Sequence, residues 1–184
     1  IGQRNKETGT PMPKDTIFRI YSMTKPIVSV AAMMLVEDGR MQLTDPVSKF
    51  IPELKDLKVA IPMTGAPGAP AGGRGGAAAE PRYYTVPAER EITIRDLLTH
   101  TSGLVSGGLS GTEARKVALK GKESLADYIP RLASVPLDFQ PGTRWAYSAQ
   151  AGFDVLAHVV EKVSGLPFGQ FAKTRIFDPL GMKD

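Results

Sequence analysis

The sequence predicts an α+β domain in which a mainly helical region is organised around one apolar helix. Three observations lead to this prediction. The segment 27–36 is apolar on every side, as in a helix that lies between other layers. Apolar residues recur at helical spacing between about 150 and 164. Two short segments, 58–63 and 83–87, have the composition of β-strands.

Composition limits the classes of function. The chain has 184 residues, 42% hydrophobic and 23% charged, as in an ordinary globular domain. Its formal net charge of +4 comes from scattered Lys and Arg, so no nucleic-acid partner is expected. With no cysteine and two histidines, neither a disulfide nor a metal site or other cofactor is expected.

The chain also lacks an apolar run of about 18 residues, so we expect no membrane span. No signal peptide is visible at Ile1, which is not a methionine, and we therefore expect residues upstream of it. The sequence leaves the cellular location open between cytoplasm and periplasm.

The first elements centre on the predicted apolar helix. Residues 1–13 are polar and rich in turns, and they can hold one strand or the edge of a hairpin. The helix is predicted from about Ser22 to Asp38, because Pro26 is tolerated only in a first turn. Gly39 follows where a left-handed C-cap is expected. Such a helix needs a cover that residues 1–184 alone are not expected to provide.

A small hairpin is predicted next. Residues 43–50 form a turn followed by a short helical turn. Segments 58–63 and 83–87 are expected to pair with each other. Between them, residues 64–81 are rich in Gly, Ala and Pro and are expected to form a flexible surface loop.

Short helices dominate the second half. Thr93 and Asp96 resemble a capping box for a helix that ends near Gly103. Further helices are predicted at 112–120, 123–134, about 150–164 and 167–176.

Ser22 and Lys25 are the first candidate catalytic residues. They are three positions apart, so at the start of a helix both side chains project from one face. A serine hydroxyl becomes a good nucleophile when a base takes its proton, and burial can keep a lysine neutral enough to do so. The positive end of the helix favours a developing oxyanion. The alternatives are a serine that only caps the helix and a solvated surface lysine.

Four segments stand out together. They are Ser-Met-Thr-Lys at 22–25, Ile-Thr-Ile-Arg-Asp-Leu-Leu-Thr-His-Thr-Ser-Gly-Leu at 92–104, Pro-Gly-Thr-Arg-Trp-Ala-Tyr-Ser at 141–148 and Phe-Asp-Pro-Leu-Gly-Met at 177–182. In this order and spacing they resemble the serine beta-lactamase and penicillin-binding-protein superfamily, and most of all class C beta-lactamases and family VIII carboxylesterases. The resemblance spans nearly the whole chain.

The resemblance implies a beta-lactamase/transpeptidase-like fold and a set of roles. Ser22 would be the acyl-forming nucleophile, Lys25 its activator and Tyr147 the general base or acid. Trp145 and Ala149 would contact the substrate. An alternative for Tyr147 is simple packing against Trp145.

Two departures from the family pattern affect the predicted substrate and the predicted extent of the domain. Ala149 stands where the asparagine of a Tyr-x-Asn motif is expected, and alanine cannot hydrogen-bond the amide of a beta-lactam. The family also has a third sequence motif, which would follow Met182 and is not found in this sequence. The first strand of the family's sheet would precede Ile1. We therefore expect a partial domain, with most of the antiparallel sheet absent from this chain and the remaining segment of the same domain as its partner.

The predicted function is a serine hydrolase that cleaves small-molecule carboxylic esters through an acyl-enzyme. The alternatives are a class C-like beta-lactamase or D-amino-acid peptidase, and a catalytically inert penicillin-binding or sensor domain. A Ser-His-Asp triad using His100 and Asp96 is disfavoured, because both lie on one short helix. His158 is predicted to be a surface or packing residue.

Overall fold

A computed structural model describes residues 2–63 and 82–183. The strands are β1 (Gln3–Asn5), β2 (Thr10–Pro11), β3 (Lys58–Pro62) and β4 (Tyr83–Pro87). The α-helices are α1 (Thr24–Glu37), α2 (Ile94–Leu98), α3 (Leu109–Lys116), α4 (Leu125–Tyr128), α5 (Ala151–Ser164) and α6 (Phe168–Ala172). Turns of 3₁₀-helix lie at Tyr21–Met23, Val47–Lys49, Pro52–Leu54 and Ile129–Ser134, and a wider π-helical turn at Lys173–Phe177. The predicted flexible loop at 64–81 lies outside the described residues.

The strands form two separate antiparallel hairpins. β1 pairs with β2, and β3 pairs with β4 so that Lys58 lies opposite Pro87. Leu137 fastens the second hairpin to the helices, since its N–H donates to the carbonyl of Lys58 at 2.7 Å and its carbonyl accepts from the N–H of Ala60 at 2.9 Å. Short antiparallel strands beside a mainly helical region agree with the predicted α+β class.

The core lies between α1 and α5. Ala31, Ala32 and Leu35 of α1 are completely buried, and the two alanines allow a close approach of the helices. Val155 and Leu156 belong to the buried side of α5. Removal of this apolar surface from water is the main stabilising contribution to the packing.

The described residues leave one flank of α1 uncovered. Val30 is 49% exposed and Met33 is 42% exposed, although both are apolar. The expectation that residues 1–184 do not supply a complete cover for the helix stays a prediction, since residues 64–81 lie outside the described ranges. The helix also begins later than predicted, because Ser22 lies in the 3₁₀ turn that precedes Thr24. The predicted left-handed C-cap at Gly39 is confirmed by its φ of +69°.

The remaining helices follow the predicted order with shifted boundaries. The capping box of Thr93 and Asp96 is present, and the helix that it starts ends at Leu98. The segment predicted as one helix at 123–134 is α4 followed by a 3₁₀ helix, with Pro130 in its first turn, where a missing N–H costs least. No helix in the described ranges has the length and apolarity to cross a bilayer.

The half-buried carboxylate of Asp138 fixes the loop before α3. Oδ2 accepts hydrogen bonds from the N–H and hydroxyl of Ser106, at 3.0 and 2.7 Å, and from the N–H of Gly108 at 3.2 Å. Ser110 donates its hydroxyl to Oδ2 at 2.5 Å and its N–H to Oδ1 at 2.9 Å. Burial alone would raise the pKa of Asp138, but the hydrogen bonds from Ser110 and Ser106 outweigh it and lower the pKa.

Candidate active site

Ser22 lies in an unusual turn at the N-terminal end of α1. The preceding residue, Tyr21, has a φ of +47°. A bulky residue in the left-handed region costs about 1–2 kcal/mol, and such strain is concentrated at functional sites. Ser22 itself is exposed, so its hydroxyl is accessible.

The three predicted catalytic side chains meet at Ser22. Its Oγ lies 2.7 Å from Oη of Tyr147, and Nζ of Lys25 donates to the same Oγ at 3.3 Å. Lys25 also donates to the main-chain carbonyl of Ala149 at 2.5 Å. The candidate nucleophile therefore has two hydrogen-bonding partners, one from the first turn of α1 and one from the segment before α5.

Electrostatics in this cluster favour an ionised phenol. Nζ of Lys25 lies 4.9 Å from the ring centroid of Tyr147 and 5.6 Å from that of Phe153. Interactions with Lys25 and then with Ser22 lower the pKa of Tyr147. Lys25 is thus placed to stabilise a tyrosinate, and its role as activator of Ser22 stays a prediction.

The segment that carries Tyr147 is attached to His100. The N–H of Ala146 donates to the carbonyl of His100 at 3.0 Å, and the N–H of Ser148 donates to its Nδ1 at 3.2 Å. The imidazole and phenol rings are 4.8 Å apart. Phe153 packs on the imidazole from α5, at 5.3 Å between ring centroids.

His100 lies beyond the end of α2 rather than on one helix with Asp96 as predicted, and the hydrogen bonds found for the Asp96 carboxylate are with other residues. Its two carboxylate oxygens accept hydrogen bonds from Arg90 at 2.6 and 2.9 Å. Thr93 and Thr101 complete its surroundings. The carboxylate therefore holds the loop before α2 and the turn after it. His158 is buried and pairs with Glu161 at 2.9 Å, as expected for a packing residue.

A cavity of about 380 Å³ opens beside Ser22. Helices α1, α4, α5 and α6 supply mainly apolar walls, among them Val28, Phe153 and Phe168. Its polar groups besides Ser22 and Lys25 include Gln150 and Asp154. The volume and the mixture of apolar walls with few polar groups are typical of a small-molecule pocket.

Gln150 and Asp154 were missed by sequence reasoning. Burial raises the pKa of Asp154, and the hydrogen bond with Gln150 and the charge of Lys25 oppose this shift only in part. The only sequence signal for Asp154 is a carboxylate in the otherwise apolar start of α5. Gln150 carries a side-chain amide. It follows Ala149, the position at which the family motif has an asparagine and this chain has no side-chain amide.

The two predicted substrate-contacting residues have different surroundings. Ala149 lines the cavity, and its carbonyl holds Lys25. Trp145 is 65% exposed and contacts His100 edge-on at 6.1 Å between ring centroids. It does not belong to the cavity wall, so a substrate contact by Trp145 stays a prediction. In the described part of the chain, no three His, Asp or Glu residues are grouped in a way that could hold a metal ion.

Comparison with known proteins identifies the family. The Beta-lactamase family model matches residues 1–184. Protein Rv1367c of Mycobacterium tuberculosis is 40% identical over 189 residues, covering 100% of this chain and 42% of that protein. Esterase EstB of Burkholderia gladioli is 35% identical over 190 residues, covering 100% of this chain and 41% of that protein.

A solved structure shows the same fold. The hydrolase EstCE1, described as having promiscuous acyltransferase activity, superposes with a TM-score of 0.71 at 28% identity. The match covers 99% of this chain and 42% of the other. The chain thus spans about two fifths of the length of the relatives that it matches. Because the family model matches it from end to end, the chain belongs to the Beta-lactamase family of serine hydrolases.

Proposed function

We propose that the protein is a carboxylesterase that forms an acyl-enzyme on Ser22. One observation carries this proposal: Oγ of Ser22 lies within hydrogen-bond distance of both Oη of Tyr147 and Nζ of Lys25. A nucleophile in contact with a base that a third group tunes is the recurring arrangement of serine hydrolases.

Acylation uses Tyr147 as the proton carrier. Tyrosinate Oη takes the proton of Ser22 as Oγ attacks the ester carbonyl carbon, and the carbonyl oxygen becomes an oxyanion near the positive end of α1. The tetrahedral intermediate collapses when the bond to the leaving alkoxy oxygen breaks. The Tyr147 phenol protonates that oxygen and returns to the tyrosinate, and Lys25 stabilises the charge.

Deacylation repeats these proton transfers with water as the nucleophile. Tyr147 takes a proton from the water that attacks the acyl carbon, and it returns the proton to Oγ of Ser22 as the ester bond to the enzyme breaks. The carboxylic acid leaves, and both side chains regain their starting states. No group other than water and the ester is consumed.

The cavity supports an ester with an apolar acyl group. Val28, Phe153 and Phe168 offer apolar surface next to Ser22, and each buried methylene contributes about 0.8 kcal/mol of binding. Ala149 offers no side-chain amide. The similarity to EstB, which is named an esterase, points in the same direction.

A second candidate is hydrolysis of a beta-lactam or a D-amino-acid peptide. It is favoured by one observation: Gln150, whose amide also bonds Asp154, lines the cavity beside Ala149. An amide can hydrogen-bond a substrate amide, which the Ala149 side chain cannot do. If this candidate is correct, Gln150→Ala should reduce nitrocefin hydrolysis and leave ester turnover nearly unchanged.

The test compares Ser22→Ala with the control Ser134→Ala in the protein at its full natural length. Ser134 is exposed and its hydroxyl bonds only the nearby Arg131 carbonyl among the contacts found for it. We expect wild type and the control to hydrolyse p-nitrophenyl butyrate, with turnover at least about 10³-fold lower in Ser22→Ala. Retained ester turnover in Ser22→Ala would exclude the proposal. Stoichiometric labelling by a fluorophosphonate without turnover would instead support the inert domain.

A further inference from the structure

His100 makes contact with Tyr147 and with the residue on each side of it. Its main-chain carbonyl accepts the N–H of Ala146 at 3.0 Å, and its Nδ1 accepts the N–H of Ser148 at 3.2 Å. The imidazole ring also packs against the phenol, with 4.8 Å between the ring centroids. One residue thus fixes both the backbone and the ring face of the candidate base.

We propose that His100 is a positioning residue that aims Tyr147 at Ser22, and that only the neutral imidazole with its proton on Nε2 can do this. The proposal rests on the role of Tyr147 in the proposed function. Its chemical basis is simple: a nitrogen that accepts a backbone N–H must hold a lone pair, so Nδ1 carries no proton.

Protonation of His100 would loosen this arrangement. Nδ1 would then present an N–H to the N–H of Ser148, and the hydrogen bond would be lost. The ionisable groups facing the imidazole are Lys25 from α1 and Tyr147 itself, while α5 offers the uncharged ring of Phe153. A second cation beside Lys25 would also be unfavourable.

The surroundings of His100 protect its neutral form. Burial, and then the charge of Lys25, lower the pKa of His100 below its usual range. The neutral imidazole therefore persists to a lower pH than in a solvated histidine. The contribution of His100 to activity should be complete above the ordinary histidine pKa and should fall as the pH drops through the lowered value.

The backbone of His100 guides the choice of variants. Its φ is +58°, in the left-handed region that asparagine tolerates better than most residues. His100→Asn can place Oδ1 where Nδ1 accepts the hydrogen bond, but it cannot be protonated. His100→Phe keeps an aromatic ring against Tyr147 and removes the acceptor. The two variants therefore separate the hydrogen bond from ring packing.

The kinetic test measures kcat and KM for p-nitrophenyl butyrate between about pH 4 and about pH 9, using the protein at its full natural length. His100→Phe should reduce kcat about 10- to 100-fold with KM changed less than about 3-fold, because a misdirected base affects the chemical step. His100→Asn should keep kcat within about 5-fold at the upper end of this pH range. It should lose the fall of activity that accompanies protonation of His100, and it should keep the rise that accompanies ionisation of Tyr147. Equal impairment of the two variants, or a pH profile of His100→Asn identical in shape to that of wild type, would overturn the proposal.

A double-mutant cycle separates this proposal from the proposed function. In a Tyr147→Phe background, His100→Phe should cause almost no further loss of kcat, since it acts through the missing phenol. Additive losses would contradict the positioning role and leave the role of Tyr147 intact. If Tyr147→Phe alone has full activity, the proposed mechanism fails instead.

The tautomer can be measured without reference to activity. ¹⁵N NMR of labelled imidazoles should show an unprotonated Nδ1 and a protonated Nε2 for His100, with the signal identified by its loss in His100→Asn. The opposite tautomer would refute the proposal even if His100→Phe were to fold poorly.

Discussion

Replacement of Asp138 by asparagine should destabilise the fold by a predictable amount. Oδ2 accepts four of the five hydrogen bonds found for this carboxylate, from Ser106, Gly108 and the Ser110 hydroxyl. In Asp138→Asn the amide oxygen can take the position of Oδ2, but the amide NH₂ then opposes the N–H of Ser110. One charge-assisted hydrogen bond is lost outright and four are weakened, so we expect a loss of about 2–3 kcal/mol.

Urea unfolding of wild type and Asp138→Asn at several pH values measures this loss. The pKa of Asp138 is lowered in the folded protein, so the carboxylate contributes stability above its unfolded pKa of about 3.9. This contribution to stability disappears as the pH falls through the lowered pKa of Asp138 in the folded protein. The difference between the two proteins should therefore be constant near neutral pH and shrink in acid.

Asp127→Asn is the matched control. Asp127 is exposed and accepts hydrogen bonds from the N–H and hydroxyl of Ser124, within one turn of the chain. Its replacement should affect stability less than that of Asp138, because water can replace the lost partners. A difference for Asp138→Asn that is independent of pH, or no larger than that of the control, would refute the role given to Asp138 in holding residues 106–110.

Two further predictions concern the active site. Tyr147→Phe should reduce kcat for p-nitrophenyl butyrate about 10²- to 10⁴-fold, the usual contribution of a general base, with an unchanged melting temperature because Tyr147 is 41% exposed. Since Lys25 and Ser22 lower the pKa of Tyr147, wild-type activity should rise as the phenol ionises at a lower pH than a free tyrosine, and this rise should be absent from the variant's pH profile. Asp154→Asn should lower KM for p-nitrophenyl hexanoate by about 3- to 10-fold, because an apolar acyl chain no longer dehydrates an ionised carboxylate. Its effect should fade at acid pH, where the raised pKa leaves Asp154 of the wild type protonated, and an unchanged KM at neutral pH would exclude a contact with the acyl chain.

The features that the sequence predicts well are those with local causes. α1 follows from its apolar run, its early proline and its glycine cap, and α5 follows from apolar spacing and Gly165, whose φ is +76°. The contact of Ser22 with Tyr147 was reached differently, through the resemblance of four segments to one family. Spacing along the chain alone could not have paired residues so far apart.

Features that depend on packing between distant segments were missed. The role of His100 requires the turn after α2 to lie under residues 146–148, and no local pattern encodes this. In the sequence, Asp154 has the pattern of an ordinary helical residue. Its position at the cavity depends on the packing of α1 beside α5. Residue 149, where the family motif has an asparagine, is an alanine, and the neighbouring Gln150 lines the cavity.

The contact between Ser22 and Tyr147 also has a consequence for the order of events in folding. The two residues are 125 positions apart, and the loop that joins them must close before their oxygen atoms can meet. Such non-local contacts form late, after the entropy of loop closure has been offset by packing of the helices. Under the proposed function, we therefore expect Ser22 of an incompletely folded chain to react with acyl donors no faster than other serines. Acylation of Ser22 would then require the complete tertiary structure.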